Sequence, residues 1–242
     1  MLKTIKFLFV GLLLLVCSFT SGIVSDYSSS NGAWRTQQST LEQVLLLSDG
    51  YFMHTIFDRV NKQLIQSRGG TYTFSGKNLV TKIEFNTLGK DQIGQSITCS
   101  FFVNNKKKLS SDISGKKDIW DLLDKGEGEI AGTWRMSGRK TDGKIVTSPP
   151  RARKTLKVLS GTKFQWAAIN VETNEFFGTG GGSYTFVNGK YTENIEFFSR
   201  DNSRVGASLS FDGKLVDGNW HHSGLSSNGA PIYEIWRREL KQ

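Results

Sequence analysis

The chain has 242 residues, with 31 Lys and Arg against 22 Asp and Glu, for a formal net charge of +9. Hydrophobic residues make up 37 %, and there are 26 Gly but only 3 Pro. This composition excludes a disordered chain and leaves room for one large all-β domain or two small ones. The positive balance favours anionic partners but carries no information about fold.

Residues 1–22 have the layout of a secretory signal. Lys3 and Lys6 precede an apolar run from Phe7 to Val16, and small residues follow at Ser18, Thr20, Ser21 and Gly22. The run is too short for a comfortable membrane span. The protein is therefore expected outside the cytoplasm, periplasmic or secreted. A lipid anchor on Cys17 is the less favoured alternative, because Val16 is a poor fit for the small residue that normally precedes such a cysteine. Residues 23–30 read as a Ser-rich flexible leader. Cys99, in a strand-like run, is expected as a small buried residue. Export argues against nucleic acid as a partner, which leaves an anionic lipid, an acidic glycan or a small ligand.

From Gly32-Ala-Trp34 onward, strand signals follow one another with turn residues between them. Val44–Leu47 is apolar, and Tyr51–Asp58 alternates with Phe52, His54 and Ile56 on one face. Thr71–Phe74 and Leu79–Phe85 flank a Ser75-Gly-Lys-Asn78 hairpin loop. Ile97–Val103 follows, and Asp118-Ile-Trp120 closes the block, with 116–123 as the one candidate for a short helix. Asp124–Glu129 is polar and Gly-rich and reads as a boundary. The pattern restarts at Gly132-Thr-Trp134, with a Ser148-Pro-Pro-Arg151 insertion that the first block lacks. Strands are expected at 154–159, 163–170, 182–186, 191–198, 207–211, 214–222 and 232–239. Asn188-Gly189, Asp212-Gly213 and Asn228-Gly229 are the expected turns.

The two blocks are copies. Gly69-Gly-Thr-Tyr-Thr-Phe74 with Ile83-Glu-Phe85 returns as Gly181-Gly-Ser-Tyr-Thr-Phe186 with Ile195-Glu-Phe197. Asp118-Ile-Trp120 returns as Glu234-Ile-Trp236. The expected organisation is a first domain at 31–123 and a second at 128–242. One continuous structure sharing strands between the halves is the alternative.

Short antiparallel strands, Gly-x-Trp at Gly32/Trp34 and Gly132/Trp134, and Arg237-Arg238 near the end resemble lipocalin-like (calycin-type) barrels. The second block is also similar to exported bacterial lipocalin-like domains of unknown function, through Gly182–Phe186, Tyr191-Thr-Glu193, Trp220-His-His-Ser-Gly224 and Glu234-Ile-Trp236. The resemblance implies an all-β protein of two tandem small antiparallel barrels. It also implies an Arg of the last strand lying across the Gly-x-Trp ring and an interior able to hold a small apolar ligand. The first block departs from the pattern at Lys106–Ser111 and at Asp121, so it reads as a degenerate copy.

Alternation assigns the inward faces of the second block. Phe164, Trp166 and Ala168 share one face, as do Tyr191, Glu193, Ile195 and Phe197, and as do Trp220 and His222. The candidate ligand-binding residues are Trp166, Tyr184, Tyr191, Glu193, Phe197, Trp220 and His222. A carboxylate and an imidazole among aromatic rings is a common way to build a small-molecule site. Glu84 and Glu196, present in both copies, lie on the opposite faces and suit exterior ion pairs. His54, His221 and His222 do not converge, so neither a metal nor another cofactor is expected. The Gly178–Ser183 run lacks the Lys and helix of a phosphate loop and reads as a barrel kink. The favoured function is binding of a small hydrophobic or amphipathic ligand. The alternatives are a lipocalin-fold enzyme using Glu193 and His222, and an envelope- or glycan-associated β-sandwich.

Overall fold

The computed structural model describes residues 31–104, 107–226 and 228–240. The expected signal and leader lie outside the described residues. Eight strands follow in simple up-and-down order: β1 (Gly32–Gln38), β2 (Leu41–Ser48), β3 (Tyr51–Asp58), β4 (Gln63–Ser75), β5 (Asn78–Asn86), β6 (Ser96–Val103), β7 (Lys108–Ser111) and β8 (Asp118–Asp124). β8 pairs back onto β1 and closes the first barrel. The candidate short helix at 116–123 is thus overturned, since residues 118–124 are the closing strand.

The second half repeats the plan with β9 (Gly132–Thr141), β10 (Lys144–Thr147), β11 (Arg153–Leu159), β12 (Lys163–Asn170), β13 (Glu175–Val187), β14 (Lys190–Phe198), β15 (Ser208–Val216), β16 (Asn219–Leu225) and β17 (Pro231–Arg238). β9 pairs with β11 on one side and β17 on the other, closing a second eight-stranded barrel. β10 stays outside it, folded onto the far end of β9. The molecule is therefore two tandem antiparallel barrels, consistent with a lipocalin-like fold. It is neither a β-sandwich nor a sheet shared between halves.

One expected turn is displaced. Asp212-Gly213 lies inside β15, and the chain reverses at Asp217-Gly218, whose φ angles of 50° and 74° suit a two-residue hairpin. Gly213 serves packing instead. A Cβ there would come within 2.9 Å of the Phe186 ring and 3.0 Å of Trp220 Nε1.

The barrels pack against each other through equivalent walls. On β2, Leu45 and Leu47 point into the first barrel, while Val44 and Leu46 point out toward the second. On β11, Leu159 points in, while Leu156 and Val158 point out toward the first. Strands buried on both faces need apolar residues at consecutive positions, which explains the unbroken Val44–Leu47 run. Phe57 meets Phe197 at 5.2 Å and Phe85 stacks on Phe176 at 5.8 Å between ring centroids. Phe85 and Phe197 are the same position in the two copies, so the interface has the self-complementary character of a two-fold dimer contact.

A buried polar knot interrupts this apolar wall. Gln165 Nε2 donates to Ser67 Oγ at 2.7 Å and to Thr179 Oγ1 at 3.0 Å, and Gln165 Oε1 accepts from Thr55 Oγ1 at 2.8 Å. At the edges Lys154 pairs with Glu84 at 2.9 Å, and Asp49 accepts from Arg238 at 2.7 Å and from the Thr133 amide at 2.7 Å. Glu196, the counterpart of Glu84, pairs with Lys163 at 2.6 Å.

Candidate functional site

The floor of the second barrel is a packed aromatic cluster. Trp134 and Trp220 meet edge to face, and Trp134 Nε1 donates to the Ile130 carbonyl at 2.8 Å. Arg238 from the last strand lies over the Trp134 ring at 5.3 Å, the arrangement that the resemblance implied. Tyr184 donates to the Ser160 carbonyl at 2.6 Å, and Tyr191 packs at 4.9 Å from Trp220.

Above this floor lies a cavity of about 330 Å³, at the lower end of the size range of small-molecule sites. Its walls include Trp166, Ile195, Phe198, Leu209, Phe211 and Trp236. Arg200, Arg204 and Ser226 stand at its mouth. Among the expected site residues, Trp166, Glu193 and His222 line it. Tyr184, Tyr191 and Trp220 form the floor beneath.

Phe197 does neither. A β-bulge opposite Gly181-Gly182 places Ile195 and Phe197 in consecutive pairs with those glycines, so Glu196 is the extra residue and the alternation breaks there. Phe197 turns out into the interface, and Phe198 turns in beside Trp166 at 5.6 Å. Gly182 is required at the bulge, since a Cβ would fall 2.0 Å from the Asn194 carbonyl oxygen.

Besides Arg200 and Arg204, four ionisable groups border the cavity. Lys157 Nζ donates to Glu193 Oε1 at 2.8 Å, with both side chains more than nine-tenths buried. The same ammonium lies 5.0 Å from the ring centroid of Trp236, 5.2 Å from Tyr191, 5.3 Å from Trp220 and 5.9 Å from Phe164. Ring faces and one carboxylate together replace the water that a buried cation loses. Burial, and then the charge of Glu193, hold the Tyr191 phenol far above its ordinary range, so it stays protonated.

His222 Nδ1 is 3.3 Å from Glu234 Oε2, which also accepts from Trp236 Nε1 at 3.1 Å. Burial lowers the His222 pKa more than Glu234 raises it, so the imidazole is neutral. Burial would raise the Glu234 carboxyl, but the hydrogen bond from His222 and the charge of Lys157 hold it below its usual range. An ionised carboxylate only accepts, so Nδ1 carries the proton and donates it. Nε2 is then a lone-pair acceptor, buried and without a partner among the described residues.

The expected partnership between Glu193 and His222 is therefore replaced by two pairs, Lys157 with Glu193 and His222 with Glu234. The sequence reading missed Lys157 and Glu234. Lys157 stands in a strand covered on both faces, where one cation among apolar residues gives no sign of pointing inward. Glu234 was legible only as the partner of Asp118 in the repeat.

The first barrel lacks this chemistry. By strand register, Leu45 stands for Lys157, Thr81 for Glu193 and Ser111 for His222. His54 stands for Trp166, fully buried, with Nε2 3.1 Å from Gln43 Oε1. Arg68 runs among His54, Cys99 and the Ile113 carbonyl, to which it donates. No family model matches the chain, and no curated protein matches it.

Proposed function

We propose that the second barrel is a binding module for a small amphipathic ligand, and that the protein works outside the cytoplasm. The observation that carries this reading is the cavity at Lys157, Glu193, His222 and Glu234, set among aromatic walls in one barrel of a duplicated pair. A purely structural interior would not need Lys157, Glu193 and His222, since the first copy carries Leu45, Thr81 and Ser111 in their places. The apolar walls suit a hydrocarbon or ring body. Lys157 is balanced by Glu193, and ionised Glu234 beside neutral His222 leaves the buried end of the pocket, away from Arg200 and Arg204, with a net negative charge. A ligand carboxylate seated deep would meet repulsion without repayment. The buried end of the ligand is therefore neutral or cationic, and any anionic group sits at the Arg200 and Arg204 rim.

The extracytoplasmic placement rests on the segment at 1–22. Among the described residues no helix is long and apolar enough to cross a membrane. Native mass spectrometry of the purified protein, followed by titration with an environment-sensitive apolar dye, tests the binding reading. A co-purified small mass, or dye binding that a long-chain alcohol or amine displaces better than the matching carboxylate, supports it. An empty protein that leaves the dye unbound removes it.

A further inference from the structure

We infer that the β9–β10 hairpin and the strap after it form a docking surface for an anionic phospholipid bilayer, which sets the mouth of the second barrel against the membrane. In the first barrel a two-residue turn at Ser39-Thr40 joins the equivalent strands β1 and β2. In the second, the chain runs out through β10 and the Ser148-Pro-Pro segment before it returns as β11. Every residue from Arg139 to Arg151 is exposed, so this insertion contributes nothing to either core. A paired hairpin with no buried side chain has another use.

Its composition indicates which. From residue 139 to 153 the cations are Arg139, Lys140, Lys144, Arg151 and Arg153, against the single carboxylate of Asp142. Among the described residues none of these cations is in an ion pair. Among them stand Ile145, 56 % exposed, and Val146, 50 % exposed. A soluble polyanion would engage the charges and leave these two side chains in water. A bilayer surface takes both, charges at the headgroups and apolar groups at the acyl boundary.

Position supports the same partner. β9 rises from the floor at Gly132 and reaches Arg139 opposite Glu234. The hairpin therefore lies at the end of the barrel where Arg200, Arg204 and Ser226 border the cavity. Leu225, 59 % exposed, stands at that same end, paired with Pro231. A protein docked this way holds its cavity open toward the lipid phase. The inference does not depend on what the cavity binds, and its test reads lipid binding alone.

The test is co-sedimentation of the purified chain with phosphatidylcholine vesicles, with and without phosphatidylglycerol, at low and high salt. Binding is expected only with phosphatidylglycerol, and salt should weaken it. Lys140→Glu/Lys144→Glu should lower partitioning at least about tenfold. Lys82→Glu/Lys117→Glu, on exposed positions of the first barrel, makes the same charge change and should have little effect. Ile145→Ser/Val146→Ser should weaken vesicle binding and leave binding to dextran sulfate unchanged. All these side chains are exposed, and circular dichroism verifies that each variant is folded. Failure to bind anionic vesicles, equal loss in the two charge variants, or binding to dextran sulfate alone would each overturn the inference.

Discussion

Gly180 of the second barrel stands where the first barrel carries Arg68. Gly180 pairs with Trp166 and Phe198, and Arg68 pairs with their counterparts His54 and Asn86. In the first barrel the long side chain crosses the interior and donates to the Ile113 carbonyl. In the second, the missing side chain leaves room for Trp166 and Phe198 to form a cavity wall. One position thus separates a plugged copy from an open one.

Restoring a side chain there should close the site. A Cβ on Gly180 would come within 2.8 Å of the Phe198 ring and 2.9 Å of Trp166 Nε1. Both contacts are with side chains that line the cavity. Gly180→Arg should abolish dye binding, and Gly180→Ala should weaken it, at a stability cost of about 1–3 kcal/mol from overpacking. Dye titration beside urea unfolding separates the two effects. Undiminished dye affinity in a folded Gly180→Arg protein would place the binding site elsewhere.

The buried ion pair makes a second prediction. Lys157→Leu leaves Glu193 charged and buried, and Glu193→Thr leaves Lys157 so. Each single change should cost about 3–5 kcal/mol. The double change installs the pair that the first barrel already uses at Leu45 and Thr81, and should recover most of that loss. Urea unfolding of the wild type, both single variants and the double variant forms the cycle. Additive losses would show that the two groups do not compensate each other. If the ammonium and carboxylate serve the proposed site, dye binding should fail to recover in the double variant.

Much of this was legible in the sequence, and the exceptions share a cause. The duplication and the inward faces of Phe164, Trp166, Ala168, Trp220 and His222 follow from alternation and turn chemistry, and the lipocalin-like resemblance implied the barrels. Alternation fails where the backbone inserts a residue, so the bulge at Glu196 exchanged Phe197 for Phe198. It is also silent about strands covered on both sides. Gln165, Ala167 and Ile169 look like the outer face of β12, but they are buried against the first barrel. Lys157 was hidden in the same way. Nothing within one barrel's sequence announces that its outer wall has a partner.

The polar knot in the interface tests how tightly the barrels are joined. Gln165→Leu removes the partner of three buried hydroxyls at Thr55, Ser67 and Thr179. Thr55 and Ser67 keep their mutual bond at 2.9 Å and Thr179 keeps the Trp166 carbonyl. Loss of the shared amide should cost about 1–3 kcal/mol. The damage lies between the barrels, so it should also separate their unfolding. The wild type is expected to unfold in one transition, and Gln165→Leu in two that differ between tryptophan fluorescence and circular dichroism. Coincident probes with unchanged stability would show the knot to be energetically idle.

Acid should destabilise the protein through its buried histidines. Burial, assisted by the Arg68 charge, pulls His54 down to about 3, and burial lowers His222 as well. In the unfolded chain both titrate near about 6.5. Below that pH the unfolded state takes up protons that the native state refuses. Stability is therefore full above about pH 6.5 and falls as pH drops, by up to about 1.4 kcal/mol per pH unit for each histidine, until the native group titrates. For His54 the window extends down to about pH 3. Glu234, whose folded pKa is lowered, loses its contribution only as pH falls below the ordinary carboxylate range, in the same direction. Urea unfolding between about pH 7.5 and 4.5 should show this decline. His54→Gln keeps a hydrogen-bond donor toward Gln43 and removes the titration, so its slope should be about half as steep. An unchanged slope in that variant would assign the acid sensitivity to groups other than the imidazole inside the first barrel.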